Sequence, residues 1–310
     1  MSSPLVSVVI PAYNHERFIG AAVESVLKQT CSDLELIVID DGSTDKTGEI
    51  IQGYTDPRLT YTYQENQDAY NTINRGMGKA RGEYIAILNS DDIYTLDRLE
   101  RLLEYRQETG AECVFTDIML ISHTGEVFVD HDFGRDMNKW HQKNKAFFKQ
   151  SGDIYTAFLH GNLMITTSNL FMTAMATRKV GDFCSLRYLH DYDYIFRMML
   201  AYPGKVHYLE KEKLLYYRIH SGNTLGEAAI IGREQDQELI KKYMLKALPE
   251  SYRKYAKVGA DRLVELDREL EEVRNVIDPP YIGIRPAAKV FICNIIMWIK
   301  KKLKGSHKKS

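Results

Sequence analysis

The amino-acid sequence predicts an α/β protein whose central sheet is flanked by helices. Residues 5 to about 120 alternate strand-like and helix-like segments, and the strand-like segments are short apolar runs bounded by turn residues, as in buried strands. The first strands end in polar or acidic turns. Ligands of open α/β sheets bind at the carboxyl ends of the strands, so these turns are expected to meet at one ligand-binding edge.

The first strand, residues 5–10, ends at Pro11 and is followed by a loop. Asn14 is expected to cap a helix at residues 15–29, because Asn is a favoured N-cap residue. The apolar residues of this segment recur at helical spacing and predict one buried face. They are Phe18, Ile19, Ala22, Val23, Val26 and Leu27.

Two further strands, residues 34–39 and 83–88, end in acidic turns. The first turn spans residues 40–45, and the second is Asn89-Ser90-Asp91-Asp92. Carboxylates at the end of a buried strand are rarely explained by packing. Mg²⁺ and Mn²⁺ prefer oxygen ligands and often share their coordination with substrate phosphates. The second turn therefore predicts a site for a metal ion and a diphosphate.

Beyond residue 120, residues 131–152 are polar and show no clear period. This stretch is expected to be irregular, either a mobile acceptor or lid loop or an ordinary surface excursion. Helices are expected at 96–108 and 191–201, strands at 112–116, 205–209 and 214–219, and a hairpin at 118–121 and 127–129.

Composition limits the class of partner. The 310-residue chain has a formal net charge of −1 and a sequence pI of about 6.8, so its global charge does not indicate a nucleic-acid partner. Its four cysteines are scattered without a CxxC pair, which favours reduced thiols in a cytoplasmic protein. The N-terminal residues do not predict a signal peptide.

Four sequence blocks occur in order: VSVVIPAYNHERFIGAAVESVLKQT, LELIVIDDGSTDKT, NRGMGKARGEYIAILNSDDIY and HDYDYIFRM. Over roughly residues 5–220 the chain resembles family 2 glycosyltransferases, and four ordered blocks are far more specific than one acidic pair. The resemblance implies the GT-A fold, a Rossmann-like mixed sheet flanked by helices. It also implies transfer of a sugar, with inversion, from a nucleotide-diphosphate donor to an acceptor hydroxyl.

The resemblance and the change in sequence character beyond Gly226 together predict a division of the chain. Residues 1–225 are expected to form the glycosyltransferase domain, with a nucleotide-sugar-binding half at 1–120 and an acceptor half at 121–225. Residues 226–310 are expected to form a helical extension that includes charged helices.

Residues that match the family motifs imply a metal site. Asp91 is expected to bind a divalent ion, Mg²⁺ or Mn²⁺, that bridges the donor diphosphate. Family members often carry Asp at the position of Asn89, which is expected here to bond a ribose hydroxyl. His220, in the block Tyr217-Arg218-Ile219-His220, is expected to reach the metal or the diphosphate, with Arg218 supporting the loop.

Other matched positions imply donor contacts. Tyr13 is expected to stack on the base, and Asp41 to accept the ring N–H of uracil or thymine, which favours UDP or dTDP donors. Further nucleotide-sugar contacts are expected from Pro11, Asn66, Asn74, Ser90 and Arg218.

Asp191 is expected to be the catalytic base. It matches the Glu-Asp block of the family near a helix N-terminus, with His190 in place of Glu. An inverting transfer needs one carboxylate that takes the proton of the acceptor hydroxyl, without the covalent intermediate of a double displacement.

The C-terminal segment suggests a membrane partner. Residues 287–299 are mostly apolar and precede a lysine cluster, but the run is shorter than the ~20 residues that span a bilayer. An interfacial helix on the cytoplasmic face of the inner membrane is expected, with a helix docked on the catalytic domain as the alternative. With the resemblance, this suggests a peripheral enzyme that acts on a glycan or lipid-linked glycan in O-antigen-like or capsule-like synthesis.

Alternative classes of function depend on other features of the sequence. Asp68, Ile73, Asn89 and His190 depart from the family pattern and would suit a catalytically silent relative that binds glycans or partner proteins. A nucleotidyltransferase would need a Gly-rich basic phosphate loop after the first strand, and a dehydrogenase would need GxGxxG there. The segment Pro11-Ala12-Tyr13-Asn14 is neither.

Overall fold

The structure, a computed structural model, describes residues 3–128, 135–186 and 189–220. The boundary expected at residue 225, the helical extension and the lysine-rich tail lie outside these residues. Within them, no helix combines the length and the apolar character that crossing a membrane requires.

An eight-stranded sheet organises the described residues. Its strands are β1 (Val6–Ala12), β2 (Leu34–Asp40), β3 (Leu59–Tyr63), β4 (Tyr84–Ile87), β5 (Ile93–Tyr94), β6 (Cys113–Ile121), β7 (Phe171–Thr173) and β8 (Val206–Arg218). The helices are α1 (Ile19–Leu27), α2 (Thr47–Gln52), α3 (Ala69–Lys79), α4 (Arg98–Thr109), α5 (Arg135–Ser151), α6 (Ile154–His160), α7 (Ala174–Val180) and α8 (His190–Ala201).

The sheet is mixed, with the strand order β3-β2-β1-β4-β7-β6-β8-β5. The first four strands in this order are parallel, whereas β7 runs antiparallel to both of its neighbours. Parallel neighbours need crossover connections, which α1, α2 and α3 supply. The carboxyl ends of β1, β2 and β4 therefore share one edge, as the sequence predicts.

Apolar cores cover both faces of the sheet. Every residue of β2 and of β4 is buried, and successive side chains of a strand point to opposite faces. Ala86 of β4 accordingly joins the core that contains α1, while Ile87 joins the core that contains α8. On the α8 side, Gly76 lets α3 approach β1, since a Cβ atom there would lie 2.2 Å from Cγ1 of Val9.

Asn14 does not cap α1, so that prediction is wrong. The helix begins at Ile19, and the residue before it, Phe18, makes no side-chain cap. Asn14 has a left-handed φ of 50°, and its Oδ1 accepts the N–H of Thr44 at 2.8 Å. The asparagine thus joins the loop after β1 to the loop after β2.

Residues 135–151 form helix α5, where an irregular segment was expected. Both His141 and Asn144 are buried in this helix. His141 Nε2 lies 2.7 Å from the carboxylate of Asp117 in β6, which Lys145 also contacts. Because several inward residues of α5 are polar, apolar periodicity does not reveal the helix.

The end of the described chain also differs from the prediction. The two expected strands at 205–209 and 214–219 form one strand, β8, which pairs with β6 through a register shift at Asp117. The hairpin expected at 118–121 and 127–129 is found only in part, because residues 118–121 belong to the single strand β6, Val127 forms an isolated bridge, and residue 129 lies outside the described residues. Ile121 bridges to Val127, and the N–H of Ser122 donates to the carbonyl of Glu126 at 2.8 Å.

Candidate active site

The acidic turn formed by Asn89, Ser90, Asp91 and Asp92 lies at the carboxyl edge of the parallel strands, directly after β4. Leu88 extends the pairing of β4 with β1, because its N–H donates to the carbonyl of Val9 at 2.9 Å. The turn then closes through a bond of 3.1 Å from the N–H of Asp92 to the carbonyl of Asn89. The loops after β1 and β2 reach the same edge, where open α/β sheets bind ligands.

Asp91 lies beside His220. Its Oδ2 is 3.0 Å from His220 Nε2, and the two side chains are only 12% and 9% exposed. A carboxylate oxygen and an imidazole nitrogen at this separation can both be ligands of one divalent cation. The structure thus brings together the two residues to which the sequence assigned metal binding.

Arg218 holds the acidic turn in place. Its Nε donates to the backbone carbonyl of Asp91 at 2.8 Å, and its backbone N–H donates to Oδ1 of Asp92 at 2.9 Å. The guanidinium also bonds the carbonyl of Ser122 and lies 5.0 Å from the ring centre of Phe18. These contacts support the loop, while a direct contact between Arg218 and a donor stays a prediction.

Asp92 is fully buried and faces inward. Ser168 donates its hydroxyl to Oδ2 of Asp92 at 2.5 Å. Burial raises the pKa of Asp92 well above its ordinary value, and the neighbouring Asp91 adds to the increase, while the bonds from Ser168 and Arg218 oppose it. Asp92 therefore anchors the turn from the protein interior. Asp91 is the carboxylate of the turn that lies beside His220 and could bind a cation.

Asn89 is tied to the segment that precedes β7. Its Nδ2 donates to the hydroxyl of Thr166 at 3.0 Å, and its backbone N–H donates to the hydroxyl of Ser168 at 2.9 Å. The amide thus makes a bond in which it is the donor, a role that an ionised Asp could not fill. A contact between Asn89 and a ribose stays a prediction.

His15 joins the site from the loop after β1, a contribution that no pattern in the sequence predicts. Its Nδ1 lies 2.7 Å from the hydroxyl of Ser90, and ligand atoms of His15, Asp91 and His220 all lie within 4.8 Å of one another. Burial lowers the pKa of His15, and Asp91 partly opposes that effect. The neutral imidazole, the form that binds metals, is therefore favoured.

The proposed nucleoside contacts lie at the end of β1 and on the loops after β1 and β2. Pro11 is within β1, opposite Ile39, and Tyr13 is 48% exposed just beyond it. Asp41 is buried, and its Oδ1 accepts bonds from Gln64 Nε2 and from the N–H of Gln67. Its Oδ2 has no hydrogen-bond partner among residues 3–128, 135–186 and 189–220.

The two expected asparagine contacts lie in different settings. Asn66 is exposed, and its backbone passes so close to Gly42 that a Cβ on that glycine would lie 2.9 Å from Asn66 N. Asn74 bonds the backbone of Phe183 twice, through its Nδ2 at 2.9 Å and its Oδ1 at 2.8 Å. Asn74 thus fastens α3 to the loop before α8, and a donor contact from either asparagine stays a prediction.

Asp191 occupies the first turn of α8 and is buried. Its Oδ2 accepts a bond of 3.1 Å from Nδ2 of Asn162. Burial raises the pKa of Asp191 above its ordinary value, while His190 and the Asn162 bond oppose the increase. A buried carboxyl with a raised pKa suits proton transfer.

Asn162 was not recognised from the sequence, yet it organises the loop beside Asp191. Its Oδ1 accepts the N–H groups of Met164 and Ile165, both at 3.1 Å. Ile165 has a left-handed φ of 76°, which is strained for a β-branched residue. The loop from Asn162 to Ser168 therefore contacts both Asp191 and the acidic turn.

Comparison with known proteins adds a family context. A family model described as "Glycosyl transferase family 2" matches residues 7–168. An uncharacterised glycosyltransferase of Rickettsia typhi is 30% identical over 233 residues, which cover 73% of this chain and 67% of that protein. Chondroitin synthase of Escherichia coli is 40% identical over 127 residues, which cover 40% of this chain and 18% of the synthase.

Solved structures share the fold. TarS of S. aureus (residues 1–349) in complex with UDP-GlcNAc has a TM-score of 0.59 at 17% identity, over 81% of this chain and 70% of that one. The mannosyltransferase PcManGT from Pyrobaculum calidifontis, in complex with GDP-Man and Mn²⁺, has a TM-score of 0.59 at 15% identity, over 96% and 81%. At these identities the likeness establishes the fold alone, and it confirms the expected GT-A fold.

Proposed function

This chain belongs to glycosyltransferase family 2, and we propose that it is an inverting, metal-dependent enzyme of cell-surface polysaccharide synthesis. It would move a sugar from a nucleotide-diphosphate donor to an acceptor hydroxyl. The observation that carries the proposal is the Asp91–His220 pair, with 3.0 Å between Oδ2 and Nε2, at the edge where the loops after β1, β2 and β4 converge.

Donor recognition is proposed to lie on the loops after β1 and β2. The exposed ring of Tyr13 would stack on the base, and Oδ2 of Asp41 would accept the ring N–H of uracil or thymine. UDP or dTDP donors are favoured for this reason. The structural relatives hold UDP-GlcNAc and GDP-Man, so the preference for UDP or dTDP rests on Asp41.

The ligand atoms of Asp91 and His220 fit a divalent cation. Asp91 offers a carboxylate oxygen and His220 an imidazole nitrogen within a mostly buried pair. Both are ordinary ligands of Mn²⁺ and of other first-row ions, and substrate phosphate oxygens can fill further positions. When bound, the ion would neutralise negative charge on the departing nucleoside diphosphate.

Asp191 is proposed to act on the acceptor. As the acceptor oxygen bonds to the anomeric carbon, the bond from that carbon to the diphosphate oxygen breaks, and the hydroxyl proton passes to the Asp191 carboxylate. A single displacement of this kind inverts the anomeric configuration. The bond from Asn162 to Oδ2 orients the carboxyl, and the raised pKa strengthens it as a base.

The acceptor is proposed to be a glycan or lipid-linked glycan at the cytoplasmic face of the inner membrane. Similarity to a chondroitin synthase supports a polysaccharide product. The membrane location is supported by the apolar and lysine-rich sequence of residues 287–310, which lie outside the described residues.

The proposal is tested with full-length protein, a panel of nucleotide sugars, and Mg²⁺ or Mn²⁺. A bound donor raises the melting temperature by mass action, and released nucleotide reports hydrolysis or transfer. We expect UDP- or dTDP-sugars to stabilise the protein only when a divalent ion is present. If no nucleotide sugar stabilises the protein or is consumed with either ion, the catalytically silent alternative replaces this proposal.

A further inference from the structure

Three loops deliver one potential metal ligand each to the same point. His15 lies in the loop after β1, Asp91 in the turn after β4, and His220 two residues beyond β8. Their ligand atoms lie within 4.8 Å of one another. Two ligands about 2.1 Å from one ion and at right angles are about 3 Å apart, which is the separation of the His220 and Asp91 atoms, 3.0 Å.

The ring of His15 is held on several sides. Its backbone N–H donates to the hydroxyl of Thr47 at 2.8 Å, which fixes the loop. Its Nδ1 contacts the Ser90 hydroxyl, and its ring meets those of Phe18 and His220 edge-on at 5.7 Å and 5.6 Å. Histidine ligands of metals commonly make such a bond through the nitrogen that does not bind the ion, which fixes the orientation of the ring.

We propose that His15 is a third protein ligand of the divalent ion, so that the site has two imidazoles and one carboxylate. This rests on the proposed function in one respect, since the ion is the one assigned to Asp91 and His220. Ser90 acts as the outer contact that orients His15.

The ligand set predicts which ions bind. Mg²⁺ favours oxygen ligands and keeps several of its water ligands. Imidazole instead suits transition-metal ions, and the affinity of a given site for these ions is lower for Mn²⁺ than for Co²⁺. A site with Asp91 and water alone would hold Mg²⁺ and Mn²⁺ comparably. With His15 and His220 added, it should select Mn²⁺ and Co²⁺ over Mg²⁺.

Metal titration of the full chain measures this selectivity directly. MgCl₂, MnCl₂ and CoCl₂ are titrated by calorimetry into wild type, His15→Ala, His15→Gln and Asp91→Ala, with and without UDP. His15→Gln retains a side chain that can bond Ser90 but has no imidazole. The matched control is His207→Ala, since His207 contacts Tyr105 and the carbonyl of Gly204 rather than the site.

We expect wild type and His207→Ala to bind Mn²⁺ at least about tenfold more tightly than Mg²⁺. Both His15 variants should lose Mn²⁺ affinity, with a smaller loss for Mg²⁺, so the Mn²⁺/Mg²⁺ affinity ratio falls. Electron spin echo spectra of bound Mn²⁺ should show two coupled imidazole nitrogens in wild type and one in His15→Ala.

The possible failures are separable. If Asp91→Ala abolishes Mn²⁺ binding while both His15 variants keep wild-type affinity and both nitrogen couplings, His15 is not a ligand and the proposed function stands. If wild type binds no divalent ion even with UDP, metal dependence fails together with this inference.

Discussion

Nε2 of His220 lies 3.0 Å from Oδ2 of Asp91, although 129 residues separate them in the chain. The short strand β5 explains how they meet. It follows the acidic turn directly and pairs antiparallel with β8, Ile93 opposite Tyr216, so the turn is carried to the end of β8. Arg218 then fastens the two segments through the carbonyl of Asp91.

Removal of the Asp91 carboxylate is expected to abolish divalent-dependent donor binding. Asp91→Ala leaves the Arg218 bond to the backbone carbonyl intact, so the turn should persist while its cation ligand is lost. Calorimetry with UDP and Mn²⁺ measures the effect, and the exposed Asp97→Ala serves as the matched control. Nucleotide binding by Asp91→Ala with unchanged metal dependence would show that another residue holds the ion.

The companion substitution Asn89→Asp is expected to be tolerated or to strengthen metal binding, because it adds a carboxylate beside Asp91. It gives up the bond that Asn89 donates to Thr166, and a reversed bond from the Thr166 hydroxyl can replace it. A large loss of Mn²⁺ affinity in this variant would contradict the expectation.

Replacement of Asp191 by Asn should separate chemistry from binding. The amide preserves the shape but cannot accept the proton, so turnover should fall by a factor on the order of 10² to 10⁴ while donor affinity survives. The two oxygens of Asp191 accept bonds from Nδ2 of Asn162 and from the N–H of Tyr192, and an amide can satisfy only one of these donors. Some loss of stability is therefore expected, and turnover is measured per folded molecule.

The matched control for that variant is Asp193→Asn, on the same helical turn. Asp193 is buried and its Oδ2 pairs with Arg197 at 2.8 Å, so this change should lower stability and leave turnover per folded molecule close to wild type. Near-normal turnover in Asp191→Asn, or an equal loss in both variants, would require a different base.

The sequence predicts the parts of the site that local patterns encode. Apolar runs ending in polar or acidic turns identify β1, β2 and β4, and chain order then predicts that Asp41 and Asp91 lie at one edge. The contacts of His15 and Asn162 are not encoded locally, because each depends on a partner far away in the chain, Ser90 and Asp191 respectively. Neither residue is part of a spacing that marks a ligand or a base.

The predictions about secondary structure that proved wrong also have physical explanations. Helix α5 packs partly through polar contacts to Asp117, so it carries little apolar periodicity. Asn14 has the composition of an N-cap, but a tertiary bond to Thr44 competes for its side chain and holds it in a left-handed conformation. Tertiary contacts override the local preference in both cases.

Two glycines of α3 should respond oppositely to alanine. In Gly76→Ala the new Cβ would lie 2.2 Å from Cγ1 of the buried Val9, so overpacking should cost about 1–3 kcal/mol. At Gly78 nothing lies within 4 Å, and Gly78→Ala should stabilise the helix by up to about 1 kcal/mol. Urea unfolding measures both, and equal effects would mean that α3 does not lie this close to β1.

Deletion of residues 285–310 should move the protein from the membrane pellet to the soluble fraction. The motif blocks all precede residue 221, so the catalytic domain should remain folded. Liposome flotation of the full chain should weaken at high salt, because the lysine contribution is screened beyond about 10 Å at 0.1 M. If the full-length protein does not bind anionic liposomes at low salt, or if the truncated protein unfolds, a tail packed on the domain is favoured instead.

The pH dependence of transfer should report the environment of Asp191. The base must be ionised, so kcat/KM should fall as the pH falls through its pKa, and burial places that pKa above the usual Asp value of about 3.9. The bond from Asn162 stabilises the ionised form and opposes the increase. Asn162→Ala should therefore move the acid limb of the profile to still higher pH. Asn71→Ala, which removes an exposed amide on α3, is the control and should leave the limb in place. A melting curve checks that Asn162→Ala is folded. If the acid limb of the folded variant stays at the wild-type pH, Asn162 does not influence the pKa of the base.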